Sequence, residues 1–335
     1  MPQDVHSALE AFERHEIRAQ LHDVPPHAVY EVRVDGRRAV CKVARGETAD
    51  VGREAVAMDH VDRHTDLPVP TVLAADEDAF VATWLDALAG EETTVDRDDP
   101  EDARALGAGL ARLHDATAGQ FPRPGVPRLG TPWGPGSAGD PDDRLAVETH
   151  RDWHALARAV VSAIRDYLVD IGWAGPADEV LALLDDRPDL FDGAGTPVLC
   201  HGNVLPEHVA FERSGSGDTV RSDAPLELAA LVDFEHALVA PAEYDYWRTA
   251  IPCFHTSDLD PRPTLSAFRA GYESVRSLPL GVERRREGWW AVILVTYLLA
   301  LDVQNGGIGP DERPRARGIA AVAGELADAV RSRRR

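Results

Sequence analysis

The sequence predicts an α+β chain in two unequal parts: a small, mostly antiparallel sheet with one helix over residues 1–86, and a larger, mainly helical part over 87–335. Three observations carry this. Alternating apolar runs joined by a turn signal lie near the N-terminus. Helical spacing of apolar residues dominates beyond residue 100. The length, 335 residues, suits one large domain or two lobes better than a single small core.

The elements follow in order. Residues 7–21 suggest a short helix. VYEVRV (29–34) and RAVCKV (38–43) read as strands, and Asp35-Gly36 between them is a hairpin turn signal. Residues 50–64 have helical spacing at Val51, Ala55, Met58 and Val61. PVPTVLAAD (68–76) and AFVATWL (79–85) add two strands. Helices are predicted over 101–117, 150–172, 177–185, 262–277, 283–304 and 313–331, with short strands around 197–199, 208–212 and 228–233. Residues 121–143, rich in Pro and Gly, are too long for a simple connector, and 213–225 read as a hairpin tip. No internal repeat is visible.

Composition excludes several classes of function. No run approaches the roughly 18 apolar residues of a membrane span. The N-terminus lacks the basic start and apolar run of a signal peptide. Cys41, Cys200 and Cys253 are odd in number and far apart, each in an apolar run, as buried free thiols in a reducing compartment would be. A cytoplasmic location follows. Acidic residues number 57 against 35 basic, a net charge of −22. Such a surface disfavours nucleic acid, whose phosphates need Lys and Arg. The acid is spread along every segment, as in the solvated coats of proteins from salt-loving organisms. Salt screens the self-repulsion of such a coat. A pocket for a cationic substrate is the sharper alternative.

Lys42 is the only lysine; every other fixed cation of a side chain is arginine. A compact ammonium on a flexible stem does what a planar guanidinium cannot. Lys42 lies in an alternating apolar stretch rather than in a surface segment, which favours a functional role.

Two further stretches concentrate the chemistry: CHGNVLPEHVAF (200–211) and ALVDFEHALVAPAEYDYWR (230–248). Together they resemble the motif pair of aminoglycoside phosphotransferase-like kinases. In that family a His-Gly-Asp loop carries the catalytic Asp, a metal ligand follows five residues later, and a second metal-binding Asp ends a nearby strand. The resemblance implies a protein-kinase-like two-lobed fold. It implies ATP or GTP as phosphoryl donor, a small-molecule alcohol as acceptor, and Mg²⁺ (or Mn²⁺) as the ion bridging the phosphates. Asp233 matches the second metal ligand and His208 the first. Lys42 matches the strand lysine that steadies the nucleotide phosphates, with Glu54 as its acidic partner. REAVAMDHVDRHTDLPVPTVLA (53–74) is similar to the family's helix and following strand, AFVATWLD (79–86) to the approach to the interlobe hinge, and ALGAGLARLHDATAG (105–119) to the first helix of its large lobe. The likeness runs in order over about residues 25–300.

Three departures stand out. Asn203 occupies the catalytic Asp position, and an amide orients a hydroxyl but takes no proton from it at neutral pH. His208 replaces the usual Asn; macrolide phosphotransferases share a His there. Imidazole suits manganese or zinc better than magnesium, and a hydrogen-bonded structural role is the alternative. Third, no glycine-rich phosphate loop is present, and HDVPPHAVYEV (22–32) stands in its place.

His201 is expected to support the loop, and Asp245 to brace it from the helix behind. Glu235 is a candidate metal ligand or substitute base, while His236 is expected simply to be exposed. Trp289 and Trp290 are expected in the core. No Gly-x-Ser-x-Gly elbow supports a hydrolase, and no Cys-x-x-Cys pair supports zinc. The leading reading is an ATP- or GTP-dependent small-molecule O-kinase. A nucleotide-binding pseudokinase with a regulatory or scaffolding role is the alternative, and a related nucleotide-dependent transferase is a third.

Overall fold

A computed structural model describes residues 5–46, 48–88, 96–213, 224–254 and 263–333. A short helix α1 (Val5–Leu9) is followed by β1 (His15–Val24), β2 (His27–Val34), β3 (Arg37–Ala44), α2 (Val51–His64), β4 (Val72–Ala75) and β5 (Ala79–Thr83). The five strands form one antiparallel sheet in the order β1-β2-β3-β5-β4. The period of two sorts their side chains. Val32, Val34, Cys41, Val43 and Val81 pack on one face with Leu9 and Phe12. Val29, Val40, Lys42, Phe80 and Ala82 look from the other face into a cleft. The register pairs Val29 and Phe80 with Lys42 on either side.

The helix expected over 7–21 is corrected. Only Val5–Leu9 is helical, and His15–Val24 is an edge strand. β1 is exposed along almost its whole length, so no alternation of apolar residues marks it. Its backbone pairs with β2, and that tertiary pairing overrides local helical preference.

α2 starts where Asp50 accepts a hydrogen bond from Arg53 N at 3.1 Å, satisfying an otherwise orphan donor. Its apolar residues Val51, Ala55, Met58 and Val61 are buried, and Glu54 in its first turn is buried with them.

The remainder comprises α3 (Pro100–Ala116), β6 (Gly125–Leu129), β7 (Leu145–Thr149), α4 (Trp153–Asp170), α5 (Gly175–Asp186), β8 (Pro197–Cys200), β9 (Val209–Arg213), β10 (Leu226–Leu231), β11 (Leu238–Pro241), α6 (Ala242–Phe254), α7 (Pro263–Glu273), α8 (Val282–Asn305) and α9 (Arg313–Ser332). β9 and β10 form the expected hairpin, although residues 214–223 of its tip lie outside the described residues. A four-stranded sheet has the order β7-β6-β11-β8. Three of its elements are absent from the sequence-based reading, and α6 enters it only through the resemblance, as the helix that carries Asp245. β6 lies inside the Pro- and Gly-rich stretch taken as irregular. β11 is four residues ending in proline. α6 is buried along its whole length except at Pro252, so it shows no polar face and no helical period.

The three cysteines are free and buried. Trp289 is fully buried and donates through Nε1 to Glu243 at 2.9 Å, whereas Trp290 is only partly buried. Glu243 also accepts from Arg285 Nε at 2.8 Å, so a buried ion pair joins α6 to α8. α3 and α7 approach so closely that a Cβ on Gly107 would collide with the Phe268 carbonyl. Among the described residues no helix is long and apolar enough to cross a membrane.

Candidate active site

Lys42 hangs from β3 into the cleft with its ammonium buried. Its Nζ lies 2.6 Å from Glu54 Oε2, 2.8 Å from Asp233 Oδ1 and 3.7 Å from Glu235 Oε2. Burial works against the charge on Lys42, but the three carboxylates outweigh it and raise its pKa. Burial pushes the Glu54 carboxyl upward, and Lys42 offsets part of that. Asp233 goes the other way. Burial opposes its charge, yet Lys42 and His208 lower it to about 2.

Asp233 follows β10 by two residues, at φ 73°. That left-handed backbone is uncommon for residues other than glycine, with Asp and Asn the best tolerated. The turn it makes puts Asp233 toward Lys42 and leads into Glu235. Glu235 Oε2 lies 3.1 Å from His27 Nδ1, and Oε1 lies 3.2 Å from His236 Nε2. Burial opposes the Glu235 charge, but its contacts with His236, His27 and Lys42 prevail and hold its pKa well below the usual carboxylate range. His236, expected merely to be exposed, is instead half-buried and partnered. The sequence carries no signal for the His27 contact, which depends on strand register.

The loop after β8 docks against this turn. His201 donates from Nε2 to the Val232 carbonyl at 2.8 Å, and its Nδ1 accepts from Asn203 N at 3.3 Å. That fixes the neutral Nε2–H tautomer. Burial agrees with it, lowering the His201 pKa to about 4. Gly202 has φ 84°, and a Cβ there would collide with the His236 carbonyl. Asp245 of α6 accepts from the backbone N–H of His201 at 2.7 Å and of Gly202 at 2.8 Å. Its Oδ2 also lies 3.1 Å from His114 Nε2, and His114 Nδ1 lies 2.9 Å from the Tyr272 hydroxyl. Burial opposes the Asp245 charge, but these hydrogen bonds keep its pKa below the usual value.

His208 completes the cluster. Its Nδ1–H donates to the Asn203 carbonyl at 2.8 Å, which leaves Nε2 facing Asp233 Oδ2 at 3.1 Å. A bare imidazole nitrogen and a carboxylate oxygen are both acceptors, so a proton or a cation must reconcile them. A carbonyl holding the far nitrogen of an imidazole is the usual support of a metal-ligating histidine. The donor set of one carboxylate and one imidazole therefore fits a divalent cation. Lys42, Glu54, His201, Asn203, His208, Asp233 and Glu235 come from four separate segments, namely β3, α2, the loop between β8 and β9 and the turn after β10, and the fold brings them to one place.

The cleft beside Lys42 is mostly apolar elsewhere, lined by Val29, Val40, Met58, Phe80, Leu85 and Leu88, with Lys42, Glu54 and Asp233 as its charged members. One family model, that of the phosphotransferase enzyme family, matches residues 25–289.

The chain belongs to the phosphotransferase enzyme family.

The match spans every residue of the cluster just described. Among curated proteins no sequence matches this family member. Solved structures do. A candidate aminoglycoside phosphotransferase from Ralstonia eutropha JMP134 is 14% identical with a TM-score of 0.59, over 97% of this chain and 96% of that one. A microcompartment-associated aminopropanol kinase is 16% identical with a TM-score of 0.57, over 96% and 94%. An aminoglycoside phosphotransferase in complex with ADP and hygromycin B is 15% identical with a TM-score of 0.54, over 96% of both chains. At these identities the likeness is one of fold, a kinase-like α+β fold of two lobes.

Proposed function

We propose that this chain transfers the terminal phosphoryl group of ATP or GTP to a hydroxyl of a small molecule, with the nucleotide between an N-terminal lobe, residues 1–86, and a helical lobe, residues 87–335. The observation that carries the reading is Lys42, bonded at once to Glu54 and to Asp233 at the polar end of an apolar cleft. The apolar walls suit a purine base. The cationic end suits its phosphates, which Lys42 contacts while Glu54 fixes the lysine's direction. Relatives of this fold solved with ADP support nucleotide use.

Asp233 and His208 would hold Mg²⁺ or Mn²⁺, and the imidazole favours manganese. When bound, the ion neutralises charge on the phosphates. His201 and Asp245 hold the loop, so that Asn203 is presented to the acceptor and orients its hydroxyl. Glu235, kept ionised by its histidines and Lys42, faces the acceptor side as an anionic anchor and is a weak base. Catalysis then rests on positioning and electrostatics more than on proton removal.

Asn203 itself favours a second reading, a nucleotide-binding pseudokinase with a regulatory or scaffolding role. Nucleotide consumption measured with ATP and GTP over a panel of small alcohols, in molar salt, separates the two. Acceptor-dependent release of ADP or GDP supports transfer. Nucleotide binding with no transfer to any acceptor supports the pseudokinase.

A further inference from the structure

A second cavity lies on the other side of the Asp233–Glu235 turn from the nucleotide cleft. Glu235, His236 and His27 line it beside that turn, and Asp50, Arg53, Arg128 and Glu148 line it as mutually paired charges. Its aliphatic wall comes from α4 and α8, chiefly Leu156, Val160, Ile164, Leu299 and Val303. Arg248 of α6 also lines it.

Arg248 is the most deeply buried charged residue of this lining, only 3% exposed. Its Nη1 donates to the Thr296 hydroxyl, which in turn donates to the Ile293 carbonyl at 2.7 Å. Its Nε has no hydrogen-bond partner. Two rings flank the guanidinium, Tyr297 at 5.4 Å and Tyr244 at 5.9 Å. Among the described residues no carboxylate pairs with it. Among the described residues the other arginines with an enclosed, unbonded Nε, Arg286 and Arg331, are less buried and each has a carboxylate within 4 Å. Arg285 is paired with Glu243, and on the cavity rim Arg53 and Arg128 are both paired with Asp50. A buried guanidinium without a counter-ion is costly, and an anion entering the cavity removes that cost. With Nη1 committed to Thr296 and Nε enclosed, Nη2 is the guanidinium nitrogen left for a carboxylate.

We propose that Arg248 recognises a carboxylate on the acceptor, so that the acceptor class is a hydroxy acid with an aliphatic body. This rests on the phosphotransfer reading for the fate of the hydroxyl, and on the cavity alone for the carboxylate. The carboxylate sits at Arg248, the aliphatic body lies along α4 and α8, and the hydroxyl reaches the Glu235 end. An ammonium group in place of the carboxylate would face the unpaired Arg248 guanidinium and be repelled by it.

Calorimetry on the full chain without nucleotide tests the site, using hydroxyhexanoate against the matched diol and the matched amino alcohol. Hydroxyhexanoate should bind at least about tenfold more tightly than either. Arg248→Gln should erase that preference, and Arg248→Lys should keep only part of it. Nucleotide titration of the same variants, expected to match the parent, shows whether they are folded; if Arg248→Gln fails to fold, Arg248→Lys and the parent comparison decide. Equal binding of acid and diol by the parent overturns the proposal, as does an undiminished preference in Arg248→Gln. Binding of the acid through Arg248 without phosphate transfer sustains the anion site and counts instead against the phosphotransfer reading.

Discussion

Lys42 Nζ lies 2.8 Å from Asp233 Oδ1, a direct contact between a central strand of the five-stranded sheet and the turn after β10, 191 residues along the chain. With Glu54 on its other side, the ammonium is shared by two carboxylates. On the phosphotransfer reading, nucleotide phosphates entering the cleft would compete for that ammonium, and Asp233 would be freed from it if it held a divalent cation.

Lys42→Ala should therefore weaken nucleotide binding by at least about tenfold, the usual consequence of losing a charge-assisted hydrogen bond. It should also cost stability, on the order of 3–5 kcal/mol, because Glu54 and Asp233 are left without their cation. The double variant Lys42→Ala with Glu54→Gln should recover part of that stability and none of the affinity. Nucleotide titration and urea unfolding of both variants check this. Parent-like affinity in either one rules out a phosphate-binding role for Lys42.

The 3.1 Å contact between His208 Nε2 and Asp233 Oδ2, which needs a proton or a cation between them, leads to a metal prediction. Asp233→Asn should abolish metal-dependent nucleotide binding. His208→Ala should weaken it by about tenfold or more, or shift the preference from manganese toward magnesium. Calorimetric nucleotide titrations with each ion provide the measurement. The same metal dependence in parent and variants would place the ion elsewhere.

His201 predicts a pH dependence of stability. Its pKa is about 4 in the folded state against 6.5 ordinarily, because burial disfavours its charge. Below the higher value the unfolded chain binds a proton that the folded chain does not. Stability from this group is thus complete above the unfolded value, declines as pH falls toward about 4, and is flat below. The slope approaches 1.4 kcal/mol per pH unit, roughly one proton. His201→Gln, which retains an amide donor for the Val232 carbonyl, should remove about one proton from that slope in urea unfolding between these values. An unchanged slope would mean that His201 titrates normally.

Much of this site was legible in the sequence because its chemistry lies on short motifs and regular elements. Lys42 announced itself as a lone lysine in an alternating strand, and Glu54 as an acid on the next helix. Asn203, His208 and Asp233 were marked by spacing. His27 and Arg248 were not. His27 reaches Glu235 only through the β2 register, and Arg248 lies on α6, a helix too deeply buried to show a period. The strand β1 escaped for the opposite reason, since an exposed edge strand has no apolar alternation. Backbone pairing and register are long-range facts, and local pattern does not encode them.

Asn203 bears most directly on function. Its backbone N–H donates to His201 and its carbonyl accepts from His208, so the loop around it is fixed without help from its side chain. Asn203→Asp should leave that geometry intact and add a proton acceptor. A general base contributes roughly 10²- to 10⁴-fold. The nearby alternative, Glu235, is held well below the usual carboxylate range and is a poor base. Asn203→Asp should thus raise phosphotransfer to a true acceptor by at least about tenfold, toward the lower part of the general-base range. Steady-state rates of parent and variant, with one acceptor panel in molar salt, are the measurement. A parent that turns over well and a slower Asn203→Asp would mean that the amide is tuned to another base, with Glu235→Gln the next variant to make. Nucleotide binding by both forms with transfer by neither would leave the pseudokinase reading in possession of the site.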